Sequence, residues 1–467
     1  MRRGRPARLG PLAVAVVGWA LVAAGCSRGV GRGPALDVGA QSYRAGEPAF
    51  VLEAVATVRD GATGVDVFLG VPRASLVFRP TGDSLEAVAR WTVVLTPEDS
   101  ATPQTRSPID TLREASAGAV RQPGPVWRRL RFSAPPGRYR VVATLEDRTS
   151  EQTAERTAVA EVFAPDARPA LGALRLEAAG GGGTPVDPAA VPAGADSLRA
   201  VVQATAVPDR AATVLTVVRF RSDDRPATPP TDFTPAPGTL ARRGVDPAQT
   251  DTVQAVRQTV LGPDGVLDVE APLPALTPGV YAVRLDLEAP DGTPFDTADR
   301  VVVVRRTGYP ALTRLGDLVE PLVYLADRRE WARLDGAGSP SARRRAFDRF
   351  WGERMDDRRL AAATVRAFYD RVEEANRLFA TYKDGWKTDP GMIYVLFGPP
   401  RYVEATLDGE RWSYGSGGAA PPTVTFERTA GRPGETAPFR VLTLVRDRGY
   451  SEAWERARRQ WRSGVVP

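Results

Sequence analysis

Carboxylates are the main side chains of this sequence that could support acid–base chemistry, because its 467 residues include no histidine. Ser-His-Asp catalysis and histidine-ligated metal sites are therefore excluded. Cys26 is the only cysteine, which excludes an internal disulfide and a zinc-thiolate site. The only lysines are Lys383 and Lys387. Catalysis would have to use carboxylates, Tyr, Ser or Thr, or one of these lysines, and a metal would need oxygen ligands.

The strongest carboxylate candidate is Asp389, which could pair with Glu404 or Glu410 as the two acids of a glycoside hydrolase. Sequence spacing alone does not bring such a pair together. A second group of acids could ligate Ca²⁺, but none of its members lies in a loop with calcium-site spacing. That group is Asp356, Asp357, Asp384 and Asp389. We expect solvated helix ends there, with no metal and no cofactor.

The N-terminal segment predicts where the protein is located. Four arginines in residues 1–8 precede an uncharged, mostly apolar run over residues 9–25, which is typical of a secretory signal peptide. The run ends in small residues before Cys26 and resembles the lipobox of bacterial lipoproteins, in which that cysteine is acylated. An ordinary signal peptide with a chance cysteine and a plain transmembrane anchor are the alternatives. Ser27 favours the outer membrane by resemblance to the enteric sorting rule, with the protein facing the periplasm or the surface.

Composition indicates a globular chain of several domains. With 43% hydrophobic and 25% charged residues, the sequence is not that of a disordered protein. Four arginines of the signal segment account for most of the net charge of +6, so the mature chain is only slightly basic. No nucleic-acid-binding motif is present, and we expect no nucleic-acid partner. A flexible Gly- and Arg-rich tether is expected over residues 26–38.

Two β-rich regions follow the tether, over residues 39–166 and 167–307. Short runs of β-branched residues, separated by turn signals, are typical of a sandwich. Residues 96–126 are polar and Pro-rich and are predicted to be a long loop or a frayed insertion. Residues 180–195 and 222–250 are of low complexity and are predicted to be surface loops or disordered. We expect two tandem all-β immunoglobulin-like sandwiches followed by a C-terminal α/β (α+β) domain over residues 308–467.

A short repeat connects the two β regions. Gly137 and Tyr139 recur as Gly279 and Tyr281, 142 residues later, each time in a Pro-Gly-x-Tyr sequence before an alternating strand. This pattern predicts a tight turn followed by a packed tyrosine whose hydroxyl bonds to the backbone. The repeat resembles the corner of bacterial immunoglobulin-like modules, although a chance match between two sandwiches is the alternative.

The C-terminal region has helical periodicity. Apolar residues spaced by three and four predict a helix over residues 360–382, with Lys383 in its last turn and Gly385 as its cap. Residues 341–355 and 451–462 predict two further helices. Residues 392–397 are predicted to form a buried strand, and residues 410–414, 423–426 and 440–445 to form three more strands.

Residues 385–389 read Gly-Trp-Lys-Thr-Asp. With the preceding helix, the segment IYVLFGPP and the later RWSY, this sequence resembles the GWxTD domain family. The resemblance extends to most of the mature chain but implies no established activity. The candidate binding or structural residues are Gly385, Trp386, Thr388, Asp389, Tyr394, Trp412 and Tyr414.

Two readings of this motif remain open. In the first, it is a structural connector between a helix and a strand, held by hydrogen bonds around the turn. In the second, Trp386 and Asp389 line a cleft with the other aromatic residues and bind glycans or peptides. We expect a lipid-anchored envelope protein of undetermined activity, which acts as a non-enzymatic binding or scaffold protein and in which the sandwiches hold the GWxTD domain away from the membrane. Its expected partners are the lipid bilayer and an envelope protein or cell-wall polymer. A carboxylate-dependent hydrolase of envelope glycans or peptides is the alternative, so enzymatic activity is left undecided.

Overall fold

The computed structural model describes residues 46–467 except 100–101, 166–167, 179–182, 196–197, 233–243, 260–265, 354, 356, 416–422, 429–438 and 440. Cys26, the signal segment and the tether lie outside the described residues. The described part is mostly β-sheet, arranged in several sheets, with a helical region towards the C-terminus. None of the described helices is long and apolar enough to span a membrane.

The first β unit consists of two sheets that share one hydrophobic core. Alternating side chains of both sheets enter this core, with Val65, Val67 and Leu69 on one side and Trp91, Val93 and Leu95 on the other. One sheet has the order β1-β2-β7, and in the other β3-β4-β8-β9 carries β5 and β6 on β4. The elements are β1 Val51–Arg59, β2 Ala62–Pro72, β3 Arg79–Thr81, β4 Ser84–Pro97, β5 Gln104–Arg106, β6 Ile109–Glu114, α1 Ala117–Val120, β7 Pro125–Ser133, β8 Gly137–Asp147 and β9 Gln152–Val162.

The prediction of a loop over residues 96–126 is wrong. β5 and β6 lie in this range and pair with β4, and α1 follows them. The polar composition of these strands is explained by their position, because most of their side chains are exposed. A strand that buries only one or two side chains carries little of the apolar alternation from which strands are recognised.

The second β unit also has two sheets around one core, to which Leu176, Val202, Leu215 and Val283 contribute. The sheets have the orders β10-β13-β11, with β16 on β13, and β12-β18-β17-β14-β15. The elements are β10 Ala170–Leu171, β11 Arg175–Ala178, β12 Val191–Pro192, β13 Leu198–Thr205, β14 Ala212–Ser222, β15 Val245–Thr259, β16 Val266–Pro272, β17 Gly279–Glu288 and β18 Pro294–Arg305. Where it is described, the predicted loop over 180–195 contains β12, and that over 222–250 ends in β15.

The repeated tyrosines have matching roles in the two units. The Tyr139 hydroxyl donates to the Pro135 carbonyl at 2.8 Å, and the Tyr281 hydroxyl donates to the Thr277 carbonyl at 2.9 Å. Both bonds reach back four residues, and both rings are buried. The predicted hydrogen bond from the tyrosine to the backbone is therefore confirmed at both sites.

The C-terminal unit combines helices with a four-stranded antiparallel sheet of order β19-β20-β21-β22. Its long helix buries Phe368, Val372, Ala375 and Phe379, which confirms the predicted apolar stripe. The elements are α2 Leu315–Val319, α3 Arg328–Asp335, α4 Pro340–Gly352, α5 Arg358–Phe379, α6 Asp389–Phe397, β19 Tyr402–Ala405, β20 Gly409–Ser413, β21 Thr423–Arg428, β22 Leu442–Leu444 and α7 Ser451–Ser463.

The predicted strand over residues 392–397 is wrong, because these residues belong to α6. The Thr388 side chain caps the helix by accepting from the Gly391 N–H, and Pro390 occupies its first turn. Every residue of α6 from Pro390 to Phe397 is buried, so no polar face reveals a helical period. A helix that is apolar on all sides cannot be distinguished from a buried strand by periodicity.

Candidate functional site

The motif of residues 385–389 forms a tight connector between α5 and α6. A Cβ atom on Gly385 would lie 1.9 Å from the Ala375 carbonyl oxygen, and one on Gly391 would lie 1.8 Å from the Gly385 carbonyl oxygen. Backbone therefore packs directly on backbone at two successive places, and no L side chain fits at either. The glycines are required by this close approach.

The predicted role of Gly385 as a left-handed cap is wrong. α5 ends at Phe379, and the extended residue Ala380 occupies the position after it. Gly385 begins a short 3₁₀ turn, Gly385–Lys387, six residues further on. Lys383 is consequently outside α5, and the motif joins two helices rather than a helix and a strand.

Trp386 is buried, with 2% of its surface exposed. Its ring meets that of Tyr324 edge to face, with 5.7 Å between the centroids. The Trp386 N–H donates to the Asn376 Oδ1 atom at 3.3 Å, and the Tyr324 hydroxyl donates to the Trp386 carbonyl at 2.9 Å. These contacts hold the indole ring against α5 and the segment that precedes α3.

The other nominated aromatic residues also belong to the core. The rings of Tyr394 and Trp412 pack on Phe379, with centroid distances of 5.4 and 5.5 Å. Tyr414 is half-buried, and its hydroxyl donates to the Gly398 carbonyl at 3.2 Å. The structure places the rings of Tyr394 and Trp412 in the interior of the C-terminal unit, whereas the ring of Tyr414 is only partly buried.

Thr388 and Asp389 form hydrogen bonds within the fold. The Thr388 hydroxyl donates to the Gly385 carbonyl at 2.7 Å and accepts from the Gly391 N–H at 3.1 Å. One Asp389 carboxylate oxygen accepts from the Leu444 N–H at 2.8 Å, and the other lies 3.0 Å from the Arg446 guanidinium. Asp389 thus ties the start of α6 to β22.

The other nominated carboxylates have different partners. Glu404 is exposed and pairs with Arg411 at 3.1 Å, while the buried Glu410 accepts from the Trp412 indole N–H at 2.9 Å. Asp357 caps α5 by accepting from the Arg359 N–H at 2.7 Å. Asp384 lies 3.5 Å from the Arg305 guanidinium, and Asp356 is outside the described residues. In the described part of the chain, no group of three or more His, Cys, Asp or Glu side chains is arranged to hold a metal ion.

Sequence reasoning missed the segment that covers the motif. Residues 223–232, which follow β14 in the second β unit, lie against residues 383–387 of the C-terminal unit. The Ala227 N–H donates to the Lys387 carbonyl at 2.9 Å, and the Lys387 ammonium donates to Asp224 at 2.8 Å. The Lys383 ammonium donates to the Arg225 carbonyl at 2.8 Å. Both lysines of the protein therefore bind this one segment.

The charge of Lys387 is supported by its neighbours. Burial opposes the ammonium charge, but the carboxylates of Asp224 and Glu320 outweigh burial and raise the pKa of Lys387. The Lys387 nitrogen lies 3.3 Å from Glu320, which precedes α3. Burial instead lowers the pKa of Lys383, whose ammonium donates to a backbone carbonyl. The sequence did offer one signal for this contact, because the only two lysines of the chain lie within or just before the motif.

A second set of contacts joins the motif to the end of β18. The buried Arg305 guanidinium donates to the Thr381 carbonyl and lies 3.5 Å from Asp384. The Tyr309 hydroxyl donates to the Asn376 carbonyl at 2.6 Å, and burial raises the pKa of that tyrosine. Since Asn376 also binds Trp386, these bonds connect the second β unit to the motif.

Residues 279–463 match the family model of the GWxTD domain. The chain contains a GWxTD domain in this region. The matched region begins at Gly279, the first residue of β17, and so includes β17 and β18 of the second β unit as well as the C-terminal unit. This range agrees with the contacts between β18 and the motif, because residues 279–463 include Arg305 of β18 as well as its partners Thr381 and Asp384.

No curated protein matches the sequence. Among solved structures, red sea bream transglutaminase is 14% identical, with 55% of this chain and 31% of that chain covered and a TM-score of 0.18. Salmonella alpha-2-macroglobulin reacted with methylamine is 15% identical, with 58% and 18% covered and a TM-score of 0.17. The chain spans less than a third of the length of either protein. At these TM-scores the likenesses support no conclusion about this GWxTD domain protein.

Proposed function

We propose that this GWxTD domain protein is an exported, lipid-anchored envelope protein that acts by binding rather than by catalysis. One observation carries the proposal: the side chains of Thr388 and Asp389 bond to other groups within the fold. A catalytic acid or base must be within reach of a substrate proton. The Asp389 carboxylate instead binds a backbone N–H and an arginine, and so holds the connector in place.

In this proposal the β units connect the lipid anchor to the GWxTD domain, and we assign them to the immunoglobulin-like class of sandwiches. The matched tyrosine corners at Tyr139 and Tyr281 support this assignment, as does the pairing of two sheets around each core. Acylation of Cys26 would attach the protein to the membrane, since several acyl chains at one residue hold a protein firmly in a bilayer.

The binding partner in this proposal is an envelope protein or a cell-wall polymer. The hairpin of β19 and β20 offers a contact surface on the GWxTD domain, because Tyr402 is 76% exposed and Leu407 is 97% exposed. Large apolar side chains at this exposure contribute nothing to the core, and aromatic residues are enriched in interfaces.

The test is cross-linking in intact envelopes followed by recovery of the protein. The wild-type chain is expected to retain a defined protein or polymer that the double variant Tyr402→Ser, Leu407→Ser loses. The double variant Val77→Ser, Ile109→Ser is the matched control, since these side chains are 47% and 54% exposed on the first β unit. Equal recovery by all three proteins, or no recovery by any, would contradict the proposal.

Anchoring is tested separately. The Cys26→Ser variant should no longer incorporate labelled fatty acid, and the processed wild-type protein should remain with membranes after washing in high salt. Labelling of the serine variant would exclude Cys26 as the acylated residue. Hydrolysis of envelope glycans or peptides by wild-type protein, abolished by Asp389→Asn without a change in stability, would favour an enzyme instead.

A further inference from the structure

The charge of this protein is unevenly distributed. Residues 46–467 contain 55 basic and 55 acidic side chains, so this part of the chain is neutral overall. Helices α3, α4 and α7 contain three, four and four arginines against two, one and two carboxylates. Three helices are therefore strongly basic within a neutral body.

These helices lie side by side in the GWxTD domain. Arg462 of α7 pairs with Glu330 of α3, and its guanidinium lies 5.9 Å from the centre of the Phe350 ring of α4. Helices α3 and α4 also pack on each other. Their solvent-exposed sides, together with the first turn of α5, are called here the basic helical face.

Several arginines of this face have no partner among the described residues. Arg344 and Arg345 of α4 are exposed, as are Arg358 and Arg359 at the start of α5. Their guanidinium groups form no hydrogen bond or ion pair with any other described residue. Arg349 differs, since it pairs with Glu353 at 3.7 Å. Exposed arginines to which no described residue is bonded can bind an external anion.

Exposed apolar side chains lie near the start of α5, where Leu360 follows Arg358 and Arg359 in the sequence. Leu360, Val465 and Val466 are 42%, 51% and 45% exposed. Leu360 lies beside the end of α7, because a Cβ atom on Gly464 would approach its Cδ2 atom to 2.8 Å. The Thr364 hydroxyl bonds to the Leu360 carbonyl at 2.8 Å and lies 3.4 Å from the Gly464 carbonyl, so the two segments run together.

We propose that the basic helical face docks on the surface of a bilayer that contains anionic phospholipids. Guanidinium groups bind phosphate oxygens in a bidentate manner, and basic clusters are attracted to the negative potential of such a surface. A soluble polyanion would need only the arginines. The apolar group Leu360, Val465 and Val466 fits the boundary between headgroups and acyl chains, which is the environment that interfacial segments with one basic and one apolar part occupy.

This docking does not require the acyl anchor, so it can be tested without it. The chain from Ser27 onward, which contains every described residue, is incubated with phosphatidylcholine vesicles and with vesicles that also contain phosphatidylglycerol, and bound protein is measured by flotation. Binding is expected only to the anionic vesicles, and it should weaken as salt rises because screening shortens the reach of the charges. The double variant Arg344→Glu, Arg345→Glu should bind at least about tenfold more weakly.

Two further variants complete the test. Arg121→Glu with Arg140→Glu makes the same charge change on exposed positions of the first β unit and should bind like the wild type. Val465→Ser with Val466→Ser should also weaken vesicle binding, yet leave binding to soluble dextran sulfate unchanged. Equal binding to neutral vesicles, or equal losses in both charge-reversal variants, would overturn the proposal. Full vesicle binding by the serine variant would assign the face to soluble polyanions instead.

Discussion

The Asp389 carboxylate lies 3.0 Å from the Arg446 guanidinium, and the same guanidinium donates to the Thr228 hydroxyl at 2.9 Å. Asp389, the last residue of the motif, is thereby connected through Arg446 to residues 223–232 of the second β unit. Both ionic side chains are only 12% exposed. Charged groups held in this way stabilise the contact between the two units and are not arranged to bind a ligand.

Replacement of Asp389 by alanine should lower the free energy of unfolding by roughly 3 kcal/mol, because it leaves the nearly buried Arg446 without its carboxylate. Chemical denaturation measures the loss. Glu404→Ala provides the control, since its pair with Arg411 is exposed on both sides and should be worth less than about 1 kcal/mol. Similar losses in the two variants would show that the Asp389 pair is no more important than a surface pair.

The close backbone contacts predict large effects from single methyl groups. Gly385→Ala and Gly391→Ala should each destabilise the protein by roughly 3 kcal/mol or prevent folding, because the added carbon overlaps a carbonyl oxygen and the connector has no room to shift. Gly338→Ala is the matched control, because a Cβ atom there meets nothing within 4 Å. Melting temperatures of the three purified variants are sufficient, and tolerance of alanine at Gly385 would contradict the packing described.

The two tyrosine corners should respond alike to loss of the hydroxyl. Tyr139→Phe and Tyr281→Phe each remove one buried hydrogen bond to the backbone four residues earlier, which should cost about 1 kcal/mol. Tyr281 is expected to show the larger loss, since its hydroxyl also lies 3.1 Å from the Thr277 hydroxyl. Urea unfolding of both variants tests this order, and a neutral result at both sites would remove the corner as a stabilising feature.

Asp187 predicts a change of stability with pH. Desolvation by the surrounding protein raises the pKa of its carboxyl, and the nearby Glu53 carboxylate acts in the same direction. Because the pKa of Asp187 is higher in the folded than in the unfolded protein, ionisation of this carboxyl opposes folding. The contribution of Asp187 to the free energy of unfolding is therefore greatest below its unfolded pKa and is lost as the pH rises through its folded pKa. Asp187→Asn should therefore melt at a higher temperature than wild type at pH 7, with little difference near pH 3.

The control for this prediction has the opposite sign. Hydrogen bonds from Thr293, first from its backbone N–H, lower the pKa of Asp291. Asp291→Asn should thus lose stability at pH 7 and converge with wild type as the pH falls below the ordinary carboxyl pKa. Melting curves between pH 3 and 7 for both asparagine variants compare the two signs. If both variants changed in the same direction at pH 7, the assigned environment of Asp187 would be incorrect.

Local sequence determined much of this protein. Alternating β-branched residues predicted strands such as β1 and β4, spacings of three and four predicted α5, and a repeated Pro-Gly-x-Tyr predicted two tyrosine corners. These features depend on neighbours within about one turn or one hairpin, so their signals lie in the chain itself. The absence of histidine likewise excluded whole classes of catalysis before any fold was considered.

Only the tertiary structure decided what the motif does. Residues 392–397 form a helix that the sequence pattern did not reveal, because burial on every face removes the polar period that marks a helix. The role of Gly385 depends on the carbonyl of Ala375, and that of Asp389 on Leu444 and Arg446, more than fifty residues away. Contacts between residues so distant in sequence leave no periodic signal, and they arise only when α5, α6 and β22 pack together.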